Sequence, residues 1–288
     1  MHGVVVTGGS GKAGRATVAE LLAAGLVVRN VDRIPMPADG PAVETVLADL
    51  TDYGATFAAL HGFDAVVHLA ADPRPDADHL TGAERFANNT LSSFTVFQAA
   101  VHLGMERVVW ASSETTFGVP FLPPGPPRLP VTEEDVPRPH SAYAISKVVT
   151  EDLARQMARR HGIPFVGLRF SNILGPDDYR NAPAWHADPH ARSWNAWAYI
   201  DARDVATSCL AALRAPVTGA EVVTIAAADT VMTTPNAELV AAVFPATVLD
   251  PATGPNETLL SIEKARRVLG WAPRHSWRDT VTRDPGGR

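Results

Sequence analysis

Gly3-Val4-Val5-Val6-Thr7-Gly8-Gly9-Ser10-Gly11-Lys12-Ala13-Gly14 decides the fold of this chain. The β-branched run Gly3 to Thr7 reads as a buried strand, and the amphipathic stretch Ala13 to Ala24 reads as a helix. The turn between them places glycines at 8, 11 and 14. Glycines there permit a tight turn and let backbone approach a pyrophosphate closely, with N–H groups and the helix dipole facing the anion. A second strand, Val27 to Asp32, ends in an acid suited to accept hydrogen bonds from ribose hydroxyls. The strand, glycine turn, helix and acid together predict dinucleotide binding. The charge of Asp32 opposes a 2′-phosphate and favours NAD, whereas Arg33 beside it keeps NADP possible.

Outward from this unit, short apolar runs alternate with longer helical patterns. Ala65 to Ala70, Arg107 to Ser112 and Pro164 to Phe170 read as further parallel strands, with helices over Glu84 to Leu103 and Ala142 to Arg160. This alternation predicts an α/β fold, a doubly wound parallel Rossmann sheet covered on both faces. Residues 119–139 hold eight prolines and read as a stiff loop. The expected division is a dinucleotide-binding core over residues 1–175 and a small C-terminal substrate lobe over 176–288, interleaved with the core. Helical patterns at Ala202 to Arg214, Pro235 to Val243 and Ser261 to Leu269 belong to that second part, and Asp284 to Arg288 are expected to fray. No internal repeat is apparent.

Among 288 residues, 46% are hydrophobic and 19% charged, which suits a globular chain able to bury a large core. The formal net charge of −6 and the lack of a basic stripe argue against a nucleic-acid partner. No run approaches the ~18 apolar residues of a membrane span. The N-terminus lacks the charged and apolar regions of a secretion signal, and the single cysteine, Cys209, fits a reducing compartment. A soluble, cytoplasmic protein acting on a small molecule is the expectation.

Ser141-Ala142-Tyr143-Ala144-Ile145-Ser146-Lys147 carries the candidate chemistry. Four-residue spacing on a helix puts Tyr143 and Lys147 on one face. A free phenol titrates near pH ~10, and an adjacent ammonium is expected to lower that value. Such a phenol can take a proton from a carbinol or give one to a carbonyl.

With the glycines at 8, 11 and 14, the segments His68-Leu69-Ala70-Ala71, Ala111-Ser112-Ser113 and Tyr143 with Lys147 make the chain resemble the extended short-chain dehydrogenase/reductases, the NAD-dependent epimerase/dehydratase group. Asp49-Leu50, Asn89, Leu168-Arg169-Phe170-Ser171-Asn172, Gly175-Pro176, Tyr199-Ile200-Asp201, Asp204-Val205-Ala206 and Leu269-Gly270-Trp271 extend the likeness over most of the chain.

The resemblance implies roles for particular residues. Gly8, Ser10, Gly11, Lys12, Ala13 and Gly14 would cradle the dinucleotide, with Asp32 and Arg33 at its ribose. Asp49 and Leu50 would flank adenine, Leu69, Ala70 and Ala71 would line the wall, and Asn89 would support the active-site region. Residues 170 to 173 would pack near the nicotinamide, with Phe170, Asn172 and Ile173 as the cofactor contacts. Ser113, five residues before Gly118, matches the catalytic hydroxyl, with Ser112 its competitor. Tyr143 would be the general acid/base, and Lys147 would lower its pKa and bind the nicotinamide ribose. Candidate substrate contacts are Asp72, Ser113, Glu114, Thr115, Asn172, Trp185 and Arg192.

Three departures stand out. Glu114 brings a carboxylate beside Ser113, either facing substrate or at the rim; Phe117 replaces a common tyrosine; and the segment from Pro176 to Tyr199 is short for a nucleotide-sugar enzyme. Within that segment Trp185, His186, His190, Arg192, Trp194 and Trp197 offer ring-stacking faces and a cation, or else form a self-packed lid. His186, His190 and Asp188 could suggest a metal, but the resemblance implies none, and His68 reads as a core histidine. The implied activity is hydride transfer at a carbinol or carbonyl of a small sugar, sugar acid or related compound. An NAD-retaining epimerase or dehydratase and a non-catalytic nucleotide sensor are the alternatives. Relatives often pair through the two long helices, so a homodimer is implied.

Overall fold

A computed structural model describes residues 1–74 and 79–281, so Asp284 to Arg288 lie outside the described residues. In chain order the first half contains β1 (Gly3–Thr7), α1 (Lys12–Ala23), β2 (Val27–Asp32), β3 (Glu44–Leu47), α2 (Tyr53–Leu60), β4 (Ala65–His68), α3 (His79–His102) and β5 (Arg107–Ser113). There follow β6 (Arg128–Leu129), α4 (Ala142–His161), β7 (Phe165–Phe170), β8 (Ile173–Leu174), α5 (Ala182–Trp185), β9 (Ile200–Asp201), α6 (Ala202–Arg214) and β10 (Ala220–Ile225). Helices over Asn236–Val243 and Glu263–Leu269 come later, on either side of β11 (Val248–Leu249).

Seven strands form one parallel sheet in the order β10-β7-β5-β4-β1-β2-β3. The chain builds outward from β1 to β3, then returns across β1 to β4 and builds the other way. That reversal opens a crevice beyond the carboxyl ends of β1 and β4, where ligands of such sheets bind. The sequence of β1 explains its central place. Val4 and Val6 point to one face, against Val18, Leu21, Val205 and Cys209, while Val5 points to the other, with Val96, Phe97 and Met157. All three valines are fully buried, so both faces need apolar side chains and a continuous β-branched run supplies them.

The structure corrects several sequence expectations. β3, α2 and β10 were not predicted; β3 is a sheet-edge strand with no fully buried residue, so its pattern is weak. β4 stops at His68 instead of reaching Ala70, and the chain beyond it passes so close to Gly8 that a Cβ there would lie 2.6 Å from the Ala70 nitrogen. α3 starts at His79, before the expected Glu84, and takes Gly82 into its first turn. The proline-rich segment is not purely loop, since Arg128–Leu129 pairs in parallel with Val248–Leu249. Pro127 and Pro130, which lack a donor N–H, keep that pairing short.

A second core joins this segment to the later chain. Phe117, Val119, Phe121 and Leu129 pack with Tyr179, Trp197, Met232, Leu239, Leu260 and Trp277. Residues from both sides of position 175 build both cores, because α6 and β10 join the main sheet layers. Among the described residues, no helix is long and apolar enough to cross a membrane, and no group of His, Cys, Asp and Glu is arranged to hold a metal ion.

The glycine turn is the tightest packed feature of this frame. A Cβ at Gly14 would collide with the Gly8 carbonyl oxygen and the Gly9 Cα, both backbone atoms that cannot swing aside. Gly14→Ala is therefore expected to destabilise the protein by about 1–3 kcal/mol in denaturant unfolding, the usual range for overpacking. An unchanged unfolding midpoint would contradict this packing.

Candidate active site

A cleft of about 1230 Å³ crosses the reversal point of the sheet. Gly8, Gly11, Lys12, Ala13, Gly14, Asp32, Arg33, Asp49, Leu50, Leu69, Ala70 and Ala71 line one end. At the other end lie Ser113, Glu114, Thr115, Tyr143, Lys147, Phe170, Asn172 and Ile173.

The first end fits a dinucleotide on its own geometry. Gly8 has φ +73°, a left-handed value that favours glycine. Gly11 is different: a Cβ there would meet just the Gly8 carbonyl, at 3.4 Å, so the fold itself tolerates one. Its missing side chain keeps the cleft side of the turn open. Gly11 caps α1 and offers no side-chain acceptor, which leaves the first helical N–H groups available to an anion. Asp32 is held in place by three amides, at 3.0 Å from Ser10 N, 2.7 Å from Arg33 N and 3.3 Å from Ile34 N. Arg33 reaches Asn88 Oδ1 at 3.0 Å. Lys12 makes a 2.6 Å ion pair with Asp178, linking the glycine turn to the segment after β8.

At the second end α4 presents the catalytic candidates. Ser141 caps the helix by accepting a hydrogen bond from Ala144 N at 3.1 Å, which fixes the first turn and with it Tyr143. The Tyr143 phenol lies near the Ser113 hydroxyl, which acts to lower its pKa. Ser112 turns elsewhere, donating to Glu151 Oε1 at 2.6 Å. Thr115 donates to Ser113 Oγ at 3.0 Å. Lys147 Nζ donates to the Ala111 carbonyl at 2.8 Å and lies 5.4 Å from the centre of the Tyr143 ring.

This geometry corrects the expected charge balance. Burial pushes the Tyr143 phenol up to about 12; the Ser113 hydroxyl pulls it down, and the Glu114 carboxylate pushes it further up. Burial lowers Lys147 as well, to about 8, with Glu151 acting against the fall; it stays mostly cationic at neutral pH, and the phenol still stands at about 12 beside it. The phenol therefore keeps its proton at neutral pH in the bare protein.

Five predicted site residues do not line the cleft. Ser10 is buried under the turn, donating to the Ile34 carbonyl and accepting from Asn30. Asn89 holds the loop after β4 by bonding both the N–H and the carbonyl of Asp72. Asp72 ion-pairs with Arg74 at 2.7 Å beside a neighbouring hollow. Arg192 donates to the Ala198 carbonyl at 3.3 Å, and its guanidinium lies 4.9 Å from the Trp185 ring and 5.2 Å from the Trp194 ring. Trp185 packs on the second core, and Trp194 takes the place expected of it on the cleft wall. Trp197 is fully buried against Phe244, and His186 contacts Trp277 and the Val231 carbonyl. His68 is a core residue between Thr7 and Ser93, lowered to about 3 by burial and by the Lys147 charge.

Of the ring-stacking faces the sequence offers, Trp194 is the one on the cleft wall, whereas Leu122, His140 and Ser141 were missed as lining residues. The proline-rich run could have signalled Leu122 and His140, since a stiff loop beside a sheet end tends to carry function. Glu114 is neither exposed nor at the rim. It is 4% exposed, accepts from Ser171 Oγ at 2.6 Å and from Asn195 Nδ2 at 3.1 Å, and burial raises it to about 7.

That shift carries a stability consequence of definite sign. Folded Glu114 keeps its proton until about pH 7, whereas an unfolded glutamate releases it near pH ~4.3. The folded state binds more protons in that window, so this contribution to stability falls as pH rises through it. The stability of the wild type relative to Glu114→Gln should drop by roughly 3 kcal/mol from pH ~4 to ~8, measured by urea unfolding. A difference independent of pH would contradict the buried carboxyl.

Known proteins resemble this chain in sequence and fold. Over 198 residues the chain is 34% identical to the NAD-dependent glucose-6-phosphate dehydrogenase of Haloferax volcanii, covering 63% of this chain and 73% of that one. It is 32% identical over 187 residues to the L-arabinose 1-dehydrogenase (NAD(P)(+)) of the same organism, covering 62% and 70%. A short-chain dehydrogenase/reductase superfamily protein from Agrobacterium tumefaciens, crystallised with bound NAD, superposes with a TM-score of 0.74 at 24% identity, over 98% of this chain and 95% of that one. Residues 4–226 match the NAD dependent epimerase/dehydratase family, and the chain belongs to that family of enzymes.

Proposed function

We propose that the protein is an NAD-dependent dehydrogenase that oxidises a carbinol of a small sugar-like molecule, or reduces the matching carbonyl. The observation that carries this reading is the meeting of Ser113, Tyr143 and Lys147 at one end of a cleft whose other end is the glycine turn with Asp32. NAD bound there would accept or return the hydride. Gly8 to Gly14 would hold its pyrophosphate, Asp32 its ribose hydroxyls, and Lys147 its nicotinamide ribose. Ser113 would orient the reacting oxygen and stabilise charge developing on it. Tyr143 would pass the proton.

The protonated phenol is ready to donate to a carbonyl. Oxidation requires it to release that proton, and the positive charge that the oxidised cofactor brings beside it favours the release. The fixed Asp32 carboxylate supports NAD over NADP. The names of the two Haloferax volcanii relatives bear on substrate size, since they specify a sugar phosphate and a free pentose. The short segment after Pro176 likewise supports a small substrate.

The reading extends to assembly and location. Leu91 and Phe94 on α3, with Ile145 and Val149 on α4, are 46%, 42%, 44% and 38% exposed, and apolar patches of this kind mark contact surfaces. We assign them to a homodimer interface made by the two helices. The single buried Cys209, its thiol pushed up to about 12 by burial, fits a cytoplasmic protein.

Nicotinamide absorbance across a panel of sugars, sugar acids and ketones tests the activity, run with NAD and with NADP. Reduction of NAD in preference to NADP is expected. Tyr143→Phe should lower turnover by about 10²–10⁴-fold while NAD binding persists; unchanged turnover would sink the assignment. Retained NAD with no net reduction would instead mark an epimerase. For assembly, Phe94→Asp should convert a dimer to a monomer by light scattering, and a monomeric wild type would contradict the interface.

A further inference from the structure

Among the described residues at the reacting end of the cleft, one carboxyl, Glu114, and one ammonium, Lys147, stand with Tyr143. Glu114 stands beside Tyr143, close enough for its charge to raise the phenol. Its carboxyl is clamped by Ser171 and Asn195 on two other segments, so it cannot swing out of the way. The Arg192 guanidinium does not line the cleft, and its Nε is buried without a hydrogen-bond partner. It stacks on Trp185 and Trp194, bonds the Ala198 carbonyl, and gives its charge to Glu114 and Asp178.

Cations that do line the cleft are engaged as well. Lys12 pairs with Asp178, Arg74 with Asp72, Arg33 bonds Asn88, and Lys147 bonds the Ala111 carbonyl. An anionic group entering the reacting end would lose its hydration and, once Glu114 is ionised, face a like charge, with Lys147 already bonded to the Ala111 carbonyl. A hydroxyl there meets better company. Thr115, His140, Ser141 and Asn172 offer polar groups, and Trp194 offers an aromatic wall for the C–H face of a ring.

We propose that this site selects an uncharged, polyhydroxylated substrate, a free sugar or polyol, and discriminates against the matching sugar acid or sugar phosphate through the fixed Glu114 carboxyl and the diversion of Arg192. The inference rests on the dehydrogenase reading above and narrows its substrate class. It also separates this chain from its glucose-6-phosphate dehydrogenase relative, whose named substrate is an anion.

Matched probes test it: D-glucose against D-glucuronate and glucose 6-phosphate, and D-galactose against D-galacturonate. Initial rates with NAD are measured at pH ~8, above the point where a carboxyl near 7 is ionised, for the wild type and Glu114→Gln. Equilibrium binding of the same sugars to wild-type protein loaded with NADH is read by calorimetry. The better neutral sugar should exceed its acid by at least about tenfold in kcat/KM, the scale of one pKa unit of charge interaction. Glu114→Gln should narrow that ratio. Preference for an acid or phosphate in rate or in binding would overturn the proposal, as would a ratio unchanged by Glu114→Gln. Neutral-sugar binding without any turnover would instead contradict the dehydrogenase reading and support the charge preference. Failure to bind or turn over any neutral sugar would overturn both.

Discussion

Glu151 and Arg169 meet as a buried two-pronged ion pair, 2.8 Å at each contact, and the geometry of the candidate site depends on it. Both side chains are at most 2% exposed. Glu151 also accepts from Ser112 at 2.6 Å, so one carboxylate ties α4 to β5 and β7 together. Ser112 is the neighbour of Ser113, and Glu151 sits one helical turn beyond Lys147. The same network therefore sets where the serine hydroxyl stands relative to Tyr143 and how much positive charge Lys147 retains. Arg169 lies 4.7 Å from the Phe117 ring, which extends the tie to the turn after β5. Buried ion pairs add little net stability, because desolvation offsets their attraction. Their value here is positional: losing one partner would leave an uncompensated charge between the helix and the sheet.

Around this anchor the site balances opposing charges. Burial weakens the ammonium of Lys147 and holds the proton on Tyr143, while Glu114 adds negative charge nearby. The tyrosine and lysine pair thus does not generate a phenolate by itself. On the proposed reading, the positive nicotinamide of a bound cofactor would favour release of the Tyr143 proton, and this would couple proton release to cofactor binding.

The sequence was most legible where a constraint is local. Gly8 and Gly14 are demanded by backbone atoms a few residues away or on the adjoining strand, so a short motif reveals them. Tyr143 and Lys147 share a face by helix geometry alone. Glu114, Arg192 and Trp194 were not legible in the same way. Their directions are set by Ser171, Asn195, Ala198 and the second core, contacts made across the chain after both layers are assembled. The expected effect of Lys147 on Tyr143 failed for a related reason, since spacing gives proximity but says nothing about desolvation. β10 escaped notice because Ala220 and Glu221, half-buried, interrupt the apolar pattern at its start.

The most direct measurement is a crystal structure of the protein with NAD bound. The account predicts the pyrophosphate over Gly8 to Gly14, the adenosine ribose hydroxyls on Asp32, and the nicotinamide ring at the end of the cleft held by Ser113 and Tyr143. A dinucleotide whose nicotinamide faces away from Tyr143, or which leaves the glycine turn empty, would contradict it.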